Sequence, residues 1–276
     1  QFPDPFGQED GVSVRSDGAG KSLITFSRIK LPPSDKAEDI RTFSAYAFNA
    51  DGVKGERVSF SYRYNAETGV RTPRAFVVTI GVNAYQNPAW NLRYAVADAD
   101  ALRSTLAAKL GAETARTYKD IVPIALVASG TDGRPVTATR KHIKAVIDVL
   151  AGRSADPDVL ADIEGAQDLR AVNPEDLVVL TFSGHGYANP DGNFHLFPWD
   201  IGTGTDRSLT PELLDRTITS AALADWLYAM DAGRTVIIID ACNSAAVVEA
   251  KGFKPGPMNS RSLGQLAYDK GMQIIT

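Results

Sequence analysis

The stretch EDLVVLTFSGHG, residues 175–186, places a histidine between two glycines at the end of a run of apolar residues. Continuous Val and Leu over this length are typical of a strand that is buried on both faces of a parallel sheet. His185 follows the run directly, and a histidine that only fills a core does not need glycine on either side. We therefore interpret the stretch as a buried strand that carries a functional histidine just past its end.

Similar apolar runs recur on both sides of this stretch, and segments with helical spacing separate them. Together with residues 175–184, the strands are predicted at residues 75–82, 121–129, 234–242 and 272–276. The helices between them are predicted at residues 92–111, 137–152 and 218–233. Gly111 is expected to end the first helix, and Thr219 or Ser220 to cap the last. Strands that alternate with helices predict an α/β fold with a mostly parallel sheet flanked by helices.

The only cysteine of the chain, Cys242, is expected in an equivalent place, just past the next predicted strand. The carboxyl ends of parallel strands share one edge of the sheet, and consecutive elements are often neighbours, so His185 and Cys242 are expected to meet there. An imidazole can take the proton of a thiol nucleophile and return it to a leaving amine. The N–H groups of Gly186 and Cys242 are then the natural donors to an oxyanion.

Composition narrows the class of protein. Of the 276 residues, 44% are hydrophobic and 22% are charged, and the formal net charge is −4. This balance gives no indication of nucleic-acid binding or of a basic membrane anchor. No apolar stretch is long enough to span a membrane, and the first residues lack the pattern of a signal peptide, so the compartment stays open with the cytoplasm favoured. A single cysteine excludes an internal disulfide framework.

Residues 1–65 are predicted to form a separate, Ig-like β-sandwich module. Apolar and polar side chains alternate in three runs, which predict strands at residues 21–31, 40–52 and 55–65. No further strand is predicted upstream, so this module is expected to be incomplete. Residues 66–73 are interpreted as a linker and residues 74–276 as the α/β domain, with the fifth strand expected to be cut by the chain end.

Four segments in this order resemble the caspase-like cysteine peptidases, in particular the bacterial caspase homologues and metacaspases. They are AFVVTIGVNAYQNPAWNLRYAVADADAL, VVLTFSGHG, HLFPWD and TVIIIDACNSA, at residues 75–102, 178–186, 195–200 and 235–245. The resemblance runs from about Arg74 to the chain end and implies an endopeptidase of protein or peptide substrates that needs no cofactor. It implies that His185 is the general base and acid and that Cys242 is the nucleophile. It also implies that a small-subunit segment or companion chain completes the substrate cleft.

Asp240 stands two residues before Cys242, so strand alternation is expected to turn both toward the same face. A carboxylate there suits a basic side chain in the substrate residue before the scissile bond (P1) and repels an acidic one. Metacaspases have Asp at this position and accept Arg or Lys at P1. The resemblance adds Asp98 and Ser183 as the residues that match the rest of their pocket. We therefore predict cleavage after Arg or Lys.

The segment after the cysteine strand contains Lys251, Lys254 and Arg261 in a stretch rich in Gly, Pro and Ser. The resemblance implies that this region separates two subunits and is often cut on activation, so self-cleavage at these residues is a hypothesis.

Many metacaspases need calcium, but the region after His185 offers Asn193 and no acidic pair, so no metal is expected. Two alternatives stay open: a catalytically silent caspase-like scaffold or regulatory partner, and a legumain- or gingipain-type peptidase with another P1 preference.

Overall fold

The protein is described by a computed structural model in which the chain divides into two compact units, residues 1–69 and 70–276. The residues that the structure describes are 12–16, 22–26, 31, 39–47, 49, 53–64, 72–113, 117–189, 193–243, 264, 267 and 271–275. Each unit is a separate body with its own sheets, and the candidate site residues that the structure describes belong to the second unit.

The first unit contains two antiparallel strand pairs. They are β1 (Val12–Ser16) with β2 (Ser22–Phe26), and β3 (Asp39–Ala45) with β4 (Val58–Tyr64). The three predicted strands are present, but the expectation that no strand lies upstream of them was wrong, because β1 does. Only two valines alternate with polar residues in β1, and so short a pattern does not stand out in a sequence.

The β3–β4 pair has an apolar face, as the alternation of its side chains predicts. The rings of Phe43 and Phe60 stack with their centres 5.3 Å apart, and the hydroxyls of Ser44 and Ser59 hydrogen-bond at 2.7 Å. The apolar face is nevertheless open to solvent, since Phe60 is 63% exposed and Val58 is 69% exposed. Cross-strand pairs of this kind stabilise the hairpin locally and do not form a buried core.

The second unit is built on a seven-stranded, mostly parallel sheet, which confirms the predicted α/β fold. Its parallel strands, in spatial order, are β11 (Gln273–Ile275), β10 (Arg234–Asn243), β7 (Leu177–Ala188), β5 (Arg74–Val82) and β6 (Asp120–Ala128). Two short antiparallel strands, β8 (Phe194–Leu196) and β9 (Ile218–Thr219), continue from the end of β7. The sequence analysis did not predict these two strands, because neither is longer than three residues.

Helices cover both faces of this sheet. They are α1 (Ala95–Glu113), α2 (Arg140–Leu150), α3 (Pro157–Ala161), α4 (Pro211–Arg216) and α5 (Ser220–Tyr228). Leu177 and Val179 of β7 pack in one apolar cluster with Leu106 of α1, whereas Val178 and Leu180 belong to the larger cluster on the other face. Side chains that alternate along one strand therefore fill two cores, which explains why the strand is apolar throughout.

The helix ends partly follow the predictions. Thr219, rather than Ser220, caps α5, because its hydroxyl oxygen accepts a hydrogen bond from the N–H of Ala222 at 3.0 Å. The expectation that Gly111 ends α1 was wrong, since the helix continues to Glu113. Glycine ends a helix where the backbone needs a positive φ, and Gly111 is not among the glycines with that conformation.

The edge strand β6 contains a proline, Pro123, which lies opposite Val77 of β5. Proline is tolerated at a sheet edge because the N–H that it lacks is not needed by a further strand. Gly165, whose φ is +83°, packs against this position: a Cβ at residue 165 would lie 3.2 Å from the carbonyl oxygen of Pro123. The turn that contains Gly165 therefore covers the edge of the sheet beside the proline.

The close approach of α1 to β5 depends on Gly81. A Cβ at this position would lie 2.8 Å from both the carbonyl oxygen of Ala95 and the Cα of Val96. These atoms belong to the helix backbone, so they cannot move aside without shifting the helix. Glycine at residue 81 therefore sets how closely the first turn of α1 lies against the carboxyl end of the sheet.

Gly81→Ala is expected to lower the free energy of unfolding of the second unit by about 1–3 kcal/mol, because the added methyl group overpacks a backbone contact. Gly111→Ala is the matched control, since nothing lies within 4 Å of a Cβ at that position. Its free energy of unfolding should rise by up to about 1 kcal/mol from improved helix propensity. Urea unfolding followed by circular dichroism measures both, and equal stability of the two variants would contradict the packing argument.

Candidate active site

The register between β7 and β10 sets which residues of the candidate site lie opposite each other. In this parallel pair the Cα of His185 lies opposite that of Cys242, as the placement of both residues on neighbouring strands predicts. The side chain of Cys242 lies outside the described part of the structure, so the pairing is one of backbone positions. Two neighbouring strands thus bring the histidine and the cysteine together although 57 positions separate them in the sequence.

Both residues lie within their strands, and the prediction that they stand just past the strand ends was wrong. The strand does not stop at the glycines, because new partners replace β5 there. Strand β8 pairs with β7 from Gly186 to Ala188, and the N–H of Phe197 donates to the carbonyl of His185 at 3.0 Å. His185 is therefore held by a continuous ladder and not by a loop.

The imidazole of His185 is buried, with 5% of the residue exposed, and its Nε2 lies 2.8 Å from the carbonyl oxygen of Trp90. A carbonyl can only accept a hydrogen bond, so Nε2 carries the proton and donates it. In the neutral ring the basic lone pair is then on Nδ1. The Trp90 carbonyl therefore selects the tautomer in which Nδ1 can take up a proton.

The sequence does not indicate that the carbonyl of Trp90 contacts His185. Its carbonyl is presented by a short 3₁₀ turn, Pro88–Trp90, in which the side chain of Asn87 accepts a hydrogen bond from the N–H of Ala89 at 3.0 Å. The side chain of Trp90 is 1% exposed and anchors the turn. Any residue type offers the same carbonyl, so the sequence could signal only the turn, through its Asn-Pro pair.

Aromatic side chains surround the imidazole. The ring centres of Tyr85 and Trp90 each lie 5.4 Å from that of His185, and the ring of Phe197 lies 6.4 Å away. The hydroxyl oxygen of Tyr85 also accepts a hydrogen bond from the backbone N–H of His185 at 2.9 Å. Packing against three aromatic rings and the hydrogen bond from Nε2 to the Trp90 carbonyl thus orient the imidazole.

This environment lowers the pKa of His185. Burial disfavours the charged imidazolium and is the main cause, while the hydrogen bond to the Trp90 carbonyl acts in the opposite direction and the positive charge of Arg207 lowers the pKa further. A histidine with a lowered pKa is neutral at pH 7. The structure therefore holds His185 in the protonation state that a general base requires.

The glycines on either side of His185 lie where a side chain would crowd neighbouring aromatic rings. A Cβ at Gly184 would lie 3.0 Å from the ring of Phe182, and a Cβ at Gly186 would lie 2.6 Å from the ring of Phe194 and 3.0 Å from the Cβ of Ala241. The oxyanion role of the N–H groups of residues 186 and 242 remains a prediction.

The three predicted pocket residues lie on three adjacent elements at the carboxyl end of the sheet. Ser183 is opposite Asp240 in the β7–β10 register and opposite Gly81 in the β5–β7 register. Gly81 in turn contacts the first turn of α1, which contains Asp98. Asp98 and Asp240 are exposed, whereas Ser183 is 1% exposed and its hydroxyl has no hydrogen-bond partner among the described residues.

The other two histidines form hydrogen bonds to threonine hydroxyls. His142, in α2, has its Nδ1 2.6 Å from the hydroxyl of Thr139. In β8, His195 is buried and bonds through Nδ1 to the hydroxyl of Thr217 at 2.7 Å, and burial lowers its pKa. The Thr217 hydroxyl donates to the carbonyl of Leu214, so it accepts from His195. Both histidines therefore have structural partners.

The predicted self-cleavage residues Lys251, Lys254 and Arg261 lie outside the described residues. Within the described ranges, no three His, Cys, Asp or Glu side chains are grouped so that they could hold a metal ion. Asn193, which was considered as a calcium ligand, is exposed, and its N–H donates to the side-chain oxygen of Asn189 at 2.8 Å.

Among the described helices, none is both long enough and apolar enough to cross a membrane.

Comparison with known protein families gives a match over most of the second unit. The model of the caspase domain, a peptidase family, matches residues 74–272, which is most of the second unit and includes both β7 and β10. A search of curated proteins finds no significant match. The matched range begins at the first residue of β5 and ends just before β11, so it covers every strand of the α/β sheet except β11.

Tyr85→Phe is expected to lower the free energy of unfolding by about 1–3 kcal/mol, because it leaves the buried N–H of His185 without an acceptor. Tyr94→Phe is the matched control, since Tyr94 is 71% exposed and its hydroxyl is free to bond to water. The control should stay within about 0.5 kcal/mol of the wild type. Chemical unfolding of the three proteins decides the matter, and a Tyr85→Phe protein as stable as the control would show that the hydrogen bond contributes nothing.

Proposed function

The chain belongs to the caspase-domain family of cysteine peptidases, and from this premise we propose that it is an endopeptidase in which His185 and Cys242 form the catalytic dyad. The observation that carries the proposal is the backbone register of the two residues together with the Nε2 contact to Trp90. The register supports a meeting of imidazole and thiol at one point of the sheet. The contact supports Nδ1 as the nitrogen that acts as base.

The proposed reaction begins with transfer of the Cys242 thiol proton to Nδ1 of His185. The thiolate sulfur attacks the carbonyl carbon of the scissile bond, which forms a C–S bond and a tetrahedral oxyanion. The imidazolium returns the proton to the leaving amine as the C–N bond breaks, and water then hydrolyses the thioester. The N–H groups of Gly186 and Cys242 are the proposed donors to the oxyanion.

The carbonyl of Trp90 has a part in both proton transfers. When Nδ1 becomes protonated, the ring carries a positive charge, and the Nε2–H bond to the carbonyl strengthens. This agrees with the effect of that bond on the pKa of His185, which it raises against the effect of burial. The ring is thus neutral before the reaction and is stabilised once it is charged.

Cys242→Ala and His185→Gln are each expected to lower kcat/KM by at least about 1,000-fold, because either change removes one half of the dyad. The acid limb of the wild-type kcat/KM profile should lie below the usual pKa of histidine, since the base must be neutral and its pKa is lowered. Hydrolysis of an Arg-containing fluorogenic peptide over a pH series measures both effects.

His142→Gln serves as the control for these variants, because His142 lies outside the dyad, and its activity should match the wild type. Covalent labelling by an arginyl chloromethyl ketone provides a second measurement, and the label should appear on Cys242. A wild-type protein that neither hydrolyses the peptide nor takes up the label would favour the alternative of a catalytically silent scaffold.

We further propose that the peptidase cleaves after Arg or Lys, with Asp240, Ser183 and Asp98 around the P1 side chain. Asp240 supplies an exposed carboxylate opposite Ser183, and Asp98 supplies a second one from α1. The planar guanidinium of arginine bonds well to such carboxylates. The buried Ser183 hydroxyl, which has no partner among the described residues, supports a role in binding a group that enters between these elements.

Asp240→Asn is expected to lower kcat/KM for Arg and Lys substrates by about 10- to 100-fold, because the variant loses one charge-assisted hydrogen bond to the substrate. Asp225→Asn, which changes an exposed aspartate of α5, should leave kcat/KM unchanged. A P1 peptide library assayed with each protein gives the comparison. A wild-type preference for Asn or Asp at P1 would contradict the proposal and would favour a peptidase of the legumain type.

Self-cleavage after Lys251, Lys254 or Arg261 is proposed from the same P1 preference, since these basic residues follow the cysteine strand. Purified wild-type protein should give shorter fragments on incubation, and mass spectrometry should place the new ends after one of the three residues. The Cys242→Ala protein is the control and should remain whole. An active wild-type enzyme that stays uncut would exclude the proposal.

A further inference from the structure

We infer that Arg207 is a positioning residue for the proton transfer: it holds the Pro88–Trp90 turn so that the carbonyl of Trp90 stays on Nε2 of His185. This inference rests on the proposed function, because it concerns the same histidine. It assigns a role to a segment that neither the dyad nor the P1 pocket uses. The segment is residues 199–207, which we call the strap.

Arg207 contacts the turn at two points. Its Nε donates a hydrogen bond to the carbonyl of Ala89 at 2.7 Å, and its guanidinium carbon lies 5.8 Å from the centre of the Trp90 ring. Ala89 and Trp90 share the peptide unit that Arg207 binds, so the arginine fixes the backbone immediately before the Trp90 carbonyl. A cation near the face of an indole ring adds to this attachment.

Three more hydrogen bonds join the strap to the segment before the turn. The N–H of Gln86 donates to the carbonyl of Trp199 at 3.1 Å, and the side-chain oxygen of Gln86 accepts from the N–H of Gly202 at 3.2 Å. The side chain of Asn87 donates to the carbonyl of Asp206 at 2.7 Å. The strap and the segment that carries the turn are therefore connected along their length and not at one point.

Asn87 connects the strap to the turn itself. Its side-chain nitrogen binds the strap, while its side-chain oxygen accepts the N–H of Ala89 inside the turn. The contact is close, because a Cβ at Gly204 of the strap would lie 2.8 Å from the Asn87 nitrogen. Arg207 lies directly after the residue that Asn87 binds, so one end of the strap holds the turn through both a buried amide and a guanidinium.

Arg207 acts mainly by holding the Trp90 carbonyl in place, and less through the effect of its charge on His185. The charge of Arg207 lowers the pKa of His185, but Arg207 is exposed and its field is screened by solvent. The phenol of Tyr85 contacts His185 directly, and the backbone of Cys242 on β10 lies opposite it. A displacement of about 1 Å at the Trp90 carbonyl is enough to cost about 100-fold in rate, because it releases the imidazole from its reactive orientation.

The experiment compares Arg207→Ala with Arg207→Lys, which keeps the positive charge and one donor. Arg207→Ala is expected to lower kcat by about 10- to 100-fold and to change KM by less than about threefold, because it disturbs proton transfer and not substrate binding. Arg207→Lys should recover most of the loss. Arg170→Ala is the matched control, since Arg170 is also exposed and donates to the carbonyls of Gln167 and Leu169, and it should match the wild type.

A second measurement does not depend on catalysis. In the Cys242→Ala background, nitrogen-detected NMR of the three histidines reports the tautomer and the titration of each, and His185→Gln identifies the signal of residue 185. His185 should show the single tautomer with its proton on Nε2, and Arg207→Ala should convert it to a mixture.

The two measurements separate this inference from the proposed function. If the wild type hydrolyses no peptide but Arg207→Ala still changes the tautomer, the proposed function fails and the positioning role stands. A rise in KM with unchanged kcat would make Arg207 a substrate contact and would overturn the inference, as would an unchanged tautomer. If Arg207→Ala does not fold, Arg207→Met is measured in its place, because it keeps the apolar stem over Trp90 and lacks the donors.

Discussion

The parallel register of β7 and β10 is the constraint on which the candidate site depends. It sets Ser183 opposite Asp240 and His185 opposite Cys242 in the same ladder. A slip of one residue would set His185 opposite Ala241 or Asn243 and would turn every side chain of one strand to the other face. The apolar residues of β7 fill cores on both faces, so such a slip would also disrupt the packing. The forces that stabilise the sheet therefore also align the site.

The orientation of His185 depends on a backbone carbonyl and on aromatic rings. In serine peptidases a buried carboxylate orients the histidine and stabilises its charged form. A carbonyl selects the tautomer equally well, but it carries no full charge. Burial can then keep the pKa of the ring low while the carbonyl limits the cost of charging it. The effect of the carbonyl on His185 therefore depends on its position, because a change of side chain at residue 90 cannot replace a backbone oxygen that has moved away.

The sheet and the pairing of His185 with Cys242 on neighbouring strands were predictable because their signals are local and strong. The apolar runs at β5, β6, β7 and β10 give the order of the strands in the sequence, and chain order then favours β7 and β10 as neighbours. The Trp90 carbonyl and the strap were not predictable in this way. Both depend on backbone carbonyls and on contacts between residues far apart in the sequence, 95 positions for Trp90 with His185 and 119 for Asn87 with Asp206.

The two-residue period of a strand predicted which residues share a face, but it did not predict where a strand ends. The glycines at residues 184 and 186 suggested the end of the strand, whereas β8 and β10 continue the ladder through them. The strand end depends on partners that come later in the chain. The same holds for α1, where Gly111 resembles a stop signal and the helix nevertheless continues.

The proline of β6 disfavours the pairing of a further strand at this edge of the sheet. At Pro123 an incoming strand would find no N–H donor, and the turn at Gly165 packs against the carbonyl of the same residue. Any strand that extends this sheet, from the same polypeptide or from another, meets a backbone with fewer unoccupied hydrogen-bonding groups at β6 than at an edge without proline. The strand at the opposite end of the sheet, β11, contains no proline.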